Sequence, residues 1–77
     1  MKTGRGSNLM TLPIVVNGQP RSVAAETSVA SLLAELGVRP QHCAVEINLE
    51  LVPRGQHAER MLEPGDRLEI VTLVGGG

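Results

Sequence analysis

The sequence predicts an α+β fold, a mixed sheet of four or five strands packed on one main helix, and three observations carry that expectation. An apolar, β-branched run leads into Asn17-Gly18 near the start. A single stretch of helical period follows, and an alternating strand pattern lies close to the end. A chain of 77 residues makes one domain, and a domain this short has room for one compact core but not for an enzyme's cleft.

The first strand is read at residues 12–16 (LPIVV), where branched apolar side chains favour the pleated conformation. Asn17-Gly18 is the pair best able to take the positive φ angles of a type I′ turn, so residues 21–24 return as a second strand and close a hairpin. After Glu26 the period changes. Val29, Leu32, Leu33 and Leu36 fall on one face of a helix of about ten residues, with Thr27 or Ser28 placed to cap its first free amides. Gly37 suits the left-handed position after the last turn, Val38 the closing apolar contact, and Pro40 forbids continuation.

Residues 44–47 alternate as a strand, residues 48–50 turn, and Leu51-Val52 forms a short strand stopped by Pro53. Glu63-Pro64-Gly65-Asp66 is turn chemistry, and residues 67–73 (RLEIVTL) make the last strand, with Leu68 and Ile70 inward and Arg67 and Glu69 outward. Hairpin, helix, two strands, turn and strand is the order of a β-grasp (ubiquitin-like) fold. A sheet over one helix buries a single apolar stripe in the fewest residues. Residues 1–9 (MKTGRGSNL) are polar and aperiodic and read as a flexible arm, residues 10–74 as the domain, and residues 75–77 as a flexible glycine tail.

Composition excludes several functions. With 42% hydrophobic and 19% charged residues the chain is an ordinary globular one, yet it has no Phe, Tyr or Trp to stack on bases. Its basic residues are scattered and its net charge is -1, so nucleic acid is not an expected partner. Lys2 and Arg5 both lie in the first nine residues, which leaves a mildly acidic body suited to a basic partner surface. Lys2 is the single lysine, so the body offers no amine for branched conjugation. Cys43 is alone and forms no internal disulfide. No apolar run marks a leader or membrane span, which makes the cytoplasm the expected compartment and a membrane no partner.

The chemistry is sought at the end. Gly75, Gly76 and Gly77 are costly to order and have no side chains to gain from contacts, but they are slim enough for a narrow enzyme channel and end in a bare carboxylate. Cys43 reads as a small buried hydrophobe rather than a reactive thiol. His42, Cys43 and His57 match no zinc spacing, so no metal is expected. Arg54 and Arg60 flank a loop and read as solvated charges, with a docking role near a nucleotide-binding partner as the alternative.

Residues 45–54 (VEINLELVPR), 62–71 (LEPGDRLEIV) and 74–77 (VGGG) resemble the ThiS family of thiamine-pathway sulfur carriers, as do residues 15–19 (VVNGQ) and the helix. Leu49 departs from that pattern, which commonly has a small or polar residue after the turn asparagine. The resemblance implies a carrier that catalyses nothing itself. An E1-like adenylating enzyme uses ATP and magnesium to join the Gly77 carboxylate to AMP, and a sulfur donor such as a cysteine desulfurase displaces the AMP. The resulting C-terminal thiocarboxylate gives its sulfur to thiazole synthase for the thiazole ring, with Gly75 and Gly76 lying in the partner's channel. Three alternatives share the fold: a carrier like the small subunit of molybdopterin synthase, a ubiquitin-like protein modifier, and a binding module with an inert tail.

Overall fold

The computed structural model describes residues 10–73. The expected arm, residues 1–9, and the expected tail residues Gly75, Gly76 and Gly77 lie outside the described residues, as does Val74. Five strands form one mixed sheet in the order β2-β1-β5-β3-β4: β1 (Thr11–Val16), β2 (Gln19–Ala24), β3 (Cys43–Ile47), β4 (Glu50–Leu51) and β5 (Arg67–Thr72). One helix, α1 (Val29–Leu36), covers one face. This is the β-grasp arrangement, with the upper of the two expected strand counts.

β1 and β2 pair antiparallel from Thr11↔Ala24 to Val16↔Gln19, joined by Asn17 at φ 50° and Gly18 at φ 81°. Both central residues are left-handed, as a type I′ turn requires. β2 begins at Gln19, two residues earlier than the sequence suggests, and so includes Pro20. A proline is tolerated there because β2 is an edge strand with one open side.

α1 has eight residues rather than about ten, because Ser28 and Gly37 cap it tightly. The Ser28 hydroxyl accepts from the Ser31 amide at 3.1 Å. Gly37, at φ 73°, donates its amide back to Ala34 at 3.1 Å. Thr27 is not the cap; its hydroxyl donates to the Ala24 carbonyl. Val38 closes the helix end, its amide donating to Leu33 at 2.9 Å while its side chain packs on the core. Val29, Leu32 and Leu33 are fully buried against Ile14, Val23, Val45, Ile47, Leu68 and Ile70 from the sheet, whereas Leu36, in the last turn, is half-buried.

The β3–β4 connection is tighter than expected. Asn48 (φ 53°) and Leu49 (φ 72°) alone make a second two-residue turn of the I′ kind, so that β4 starts at Glu50. Leucine in the left-handed region costs roughly 1–2 kcal/mol relative to the right-handed one. Leu49 recovers none of that by burial, being 88% exposed. Val52 lies beyond β4 but stays buried, and its amide continues the ladder to the Val45 carbonyl at 2.8 Å.

Candidate functional site: the anchored end of β5

The expected tail follows β5, so the site is built from whatever fixes that strand. β5 is central in the sheet, between β1 (parallel) and β3 (antiparallel). Its pairing with β3 is long, from Ile47↔Leu68 to Cys43↔Thr72, and the Leu73 amide still donates to the His42 carbonyl at 2.7 Å. The pairing with β1 is short, Val15↔Arg67 and Val16↔Leu68 alone, because β1 turns away at Asn17.

The Asn17 side chain substitutes for the missing strand. Its Oδ1 accepts from the Ile70 amide at 2.7 Å, its Nδ2 donates to the Ile70 carbonyl at 3.1 Å, and its own amide donates to Leu68 at 2.8 Å. A side-chain amide presents one acceptor and one donor side by side, which is what an unpaired strand residue offers in mirror image. The ladder therefore runs one residue pair further than β1 itself.

Asn48 does the same at the start of β5. Its Oδ1 accepts from the Arg67 amide at 3.1 Å, its Nδ2 donates to Asp66 Oδ1 at 3.1 Å, and its amide donates to the Arg67 carbonyl at 2.8 Å. Asp66, 5% exposed, is satisfied from three directions: Asn48, the Glu63 amide on Oδ2 at 2.9 Å, and the Arg60 guanidinium at 3.4 Å. Each I′ turn thus does two jobs with one asparagine, taking the left-handed backbone and clamping the last strand.

Cys43 sits opposite Thr72, where β5 ends. It packs against the core, its Sγ is 3.8 Å from the Pro40 carbonyl, and burial pushes its thiol pKa above the ordinary value. A thiol held protonated is a poor nucleophile. His42 is exposed at the end of the short 3₁₀ turn Pro40–His42. His57 is buried well away in sequence, with Nε2 3.1 Å from the Val52 carbonyl, so that nitrogen carries the proton and Nδ1 has no partner among the described residues. No group of three His, Cys, Asp or Glu side chains among the described residues is arranged to hold a metal ion. Arg60 is engaged by Asp66 and the Met61 carbonyl and is half-buried, whereas Arg54 is exposed in the turn Arg54–Gln56. Of the two, Arg60 serves the fold.

Among the described residues, then, no nucleophile, base and orienting group come together. What the geometry provides is a central strand, hydrogen-bonded as far as Ile70 on the Asn17 side and as far as Leu73 on the β3 side, and followed in sequence by Val74-Gly75-Gly76-Gly77. Asn17 and Asn48 are the residues that sequence reasoning assigned to turns alone. The available signal was that each opens a two-residue turn, but their second role depends on contacts 53 and 19 residues away.

The ThiS family model matches residues 14–77. The chain is 33% identical over 66 residues to the sulfur carrier protein ThiS of Escherichia coli (strain K12), a match covering 86% of this chain and 100% of that protein. It is 46% identical over 66 residues to a thiazole synthase of Paramagnetospirillum magneticum, again over 86% of this chain. There it spans only 20% of the relative's length. The crystal structure of the thiamine biosynthesis protein ThiS from Geobacter metallireducens matches with a TM-score of 0.73 at 32% identity, covering 86% of this chain and 100% of that one.

Proposed function

This chain belongs to the ThiS family, and we propose from that premise that it is a sulfur carrier of thiamine biosynthesis whose working group is the Gly77 carboxylate. The observation that carries the reading is the anchoring of β5: a strand clamped by Asn17 and Asn48 on either side precedes a sequence of three glycines. A rigid base and a slim end suit a chain terminus that must be handed into another protein's active site.

The chemistry follows from the carboxylate. Its oxygen is a poor leaving group, so an acyl transfer needs prior activation. An E1-like adenylating enzyme supplies it: with ATP and magnesium, the Gly77 oxygen attacks the α-phosphorus and expels pyrophosphate. The outer sulfur of a persulfide on a donor such as a cysteine desulfurase then displaces AMP to give an acyl disulfide, and a second thiol cleaves its S–S bond, leaving the thiocarboxylate and a disulfide of the two thiols. Thiazole synthase consumes that sulfur. The carrier supplies position rather than catalysis, and Gly75 and Gly76 keep the approach unobstructed. The relative named thiazole synthase, which holds a matching stretch in its own chain, supports that enzyme as a partner. The ThiS match supports this reading over a molybdopterin-synthase subunit, a protein modifier or an inert module.

The test is a pair of variants. Extending the chain beyond Gly77 moves the carboxylate away from the reacting phosphorus, and Gly76→Val adds a branched side chain in the expected channel. Both proteins are expected to fold and to lose ATP–pyrophosphate exchange with the adenylating enzyme. Exchange by the extended protein at the wild-type rate refutes the terminal-carboxylate mechanism.

A further inference from the structure

The Asn17-Gly18 turn carries a reactive group that the fold keeps idle. Of the three asparagines, Asn8, Asn17 and Asn48, only Asn17 precedes glycine. An asparagine side chain is an electrophile that can close a five-membered ring with the amide nitrogen of the next residue, and a side chain on that residue hinders the approach. Glycine has none, whereas Asn48 is followed by the branched Leu49. Asn17 and Gly18 are both exposed, so water and hydroxide reach them. The Gly18 amide donates to no acceptor among the described residues, and nothing lies within 4 Å of the place a Cβ would take on it. The nucleophile is free and its surroundings are open.

What restrains the reaction is the clamp on β5. Ring closure needs the Asn17 Cγ to swing over the Gly18 nitrogen while the turn leaves its left-handed form, because reacting atoms must meet in an attack geometry. The side chain cannot swing while Oδ1 accepts from the Ile70 amide at 2.7 Å and Nδ2 donates to the Ile70 carbonyl at 3.1 Å. Each net hydrogen bond is worth about fivefold, so the two together hold the released form to about one part in thirty. The reaction runs from that fraction alone.

We propose that Asn17-Gly18 is a deamidation site of this protein, restrained by the Asn17–Ile70 clamp, and that the product destroys the clamp. The Gly18 nitrogen gives its proton to hydroxide and bonds to the Asn17 Cγ. The bond from Cγ to Nδ2 breaks, and Nδ2 leaves as ammonia with a proton from water. The succinimide so formed takes up one water at either carbonyl, giving aspartate or isoaspartate at position 17. One water is consumed and one ammonia released, with no change of oxidation state. Neither product rebuilds the pair with Ile70. In aspartate an oxygen replaces Nδ2 and faces the Ile70 carbonyl, acceptor against acceptor. In isoaspartate the main chain runs through the former side chain, which adds an atom to a turn that must close between Val16 and Gln19. Either product leaves β5 without support on the β1 side beyond Leu68. This chemistry does not depend on what the tail carries.

The experiment incubates the full chain at constant pH and temperature, folded and in guanidinium chloride, and follows each asparagine by mass spectrometry with fragmentation. In the denatured chain, conversion at position 17 is expected to outrun positions 8 and 48, and Gly18→Ala to slow it several-fold. Folding is expected to slow position 17 by about thirtyfold or more. The folded-state rate is expected to stay flat at low denaturant, because the opening is local, and to rise only as the chain unfolds. Asn17→Asp is expected to lower Tm by at least about 4 °C and to speed hydrogen exchange at the Ile70 amide. Even conversion of all three asparagines in the denatured chain overturns the site. A folded chain that reacts as fast as the denatured one, or a rate that tracks global unfolding from the first addition of denaturant, overturns the clamp as the restraint. Wild-type Tm and Ile70 protection in Asn17→Asp overturn the consequence drawn for β5.

Discussion

Replacing Asn17 by glycine removes the clamp on β5 while leaving the turn its left-handed backbone. Glycine adopts φ 50° without strain, so the substitution isolates the side chain's two hydrogen bonds to Ile70, at 2.7 and 3.1 Å. Each is worth about 0.5–1.5 kcal/mol net, and Ile70 is largely buried, so the expected loss is about 2 kcal/mol. For a domain of this size that lowers Tm by about 8–16 °C. Asn17→Ala is expected to lose about 1 kcal/mol more, because alanine also disfavours the left-handed turn. Urea unfolding gives the free energies, and hydrogen exchange at the Ile70 amide locates the loss. If Asn17→Gly stays within about 0.5 kcal/mol of wild type, or the Ile70 amide remains as protected as its neighbours, the side chain does not extend the ladder and the reasoning fails.

Further outcomes follow from the core and from the titrating groups. Leu33→Ala, at a fully buried position, is expected to cost about 2–5 kcal/mol by denaturant unfolding, and wild-type stability in that variant contradicts the assigned helix face. Asp66→Ala removes an acceptor shared by Asn48, the Glu63 amide and Arg60, and is expected to cost about 2–4 kcal/mol, with exchange at the Glu63 and Arg67 amides accelerated. Burial raises the Cys43 pKa, so the folded state holds the proton more tightly than the unfolded one. The stability this contributes is full below the ordinary value of 9.0 and is lost as pH rises through the raised one, and Cys43→Ala is expected to flatten that decline. Alkylation of the folded protein is expected to be slower than that of the unfolded chain at the same pH, and equal rates contradict the burial.

Periodicity made the β-grasp legible. The apolar run before Asn17-Gly18, the Val29-Leu32-Leu33-Leu36 stripe and the alternation through Leu68 and Ile70 each correspond to an observed element, because local patterns of that kind are what bury one face of a strand or helix. Edges were less legible. The second strand reads as starting at Arg21, after Pro20, until β2 is known to be an edge, and Glu50 reads as a turn residue until the turn is seen to close in two. Long-range polar contacts were not legible at all. That Asn17 holds Ile70, that Asn48 holds Arg67, and that His57 is buried under Val52 depend on how the strands are ordered, and residue type alone does not carry that. The chemistry expected of Gly75, Gly76 and Gly77 is read from the sequence alone, because they lie outside the described residues.

The central claim is that sulfur is carried on the Gly77 carboxylate, and intact-protein mass spectrometry of the chain isolated from its own host tests it most directly. The account predicts a species heavier by one sulfur in place of one oxygen, with the change mapped by fragmentation to Gly77 and with an alkylating reagent adding its group to the sulfur at that residue. Sulfur found on Cys43, with an unmodified carboxylate at Gly77, contradicts the account and makes the protein a cysteine persulfide carrier.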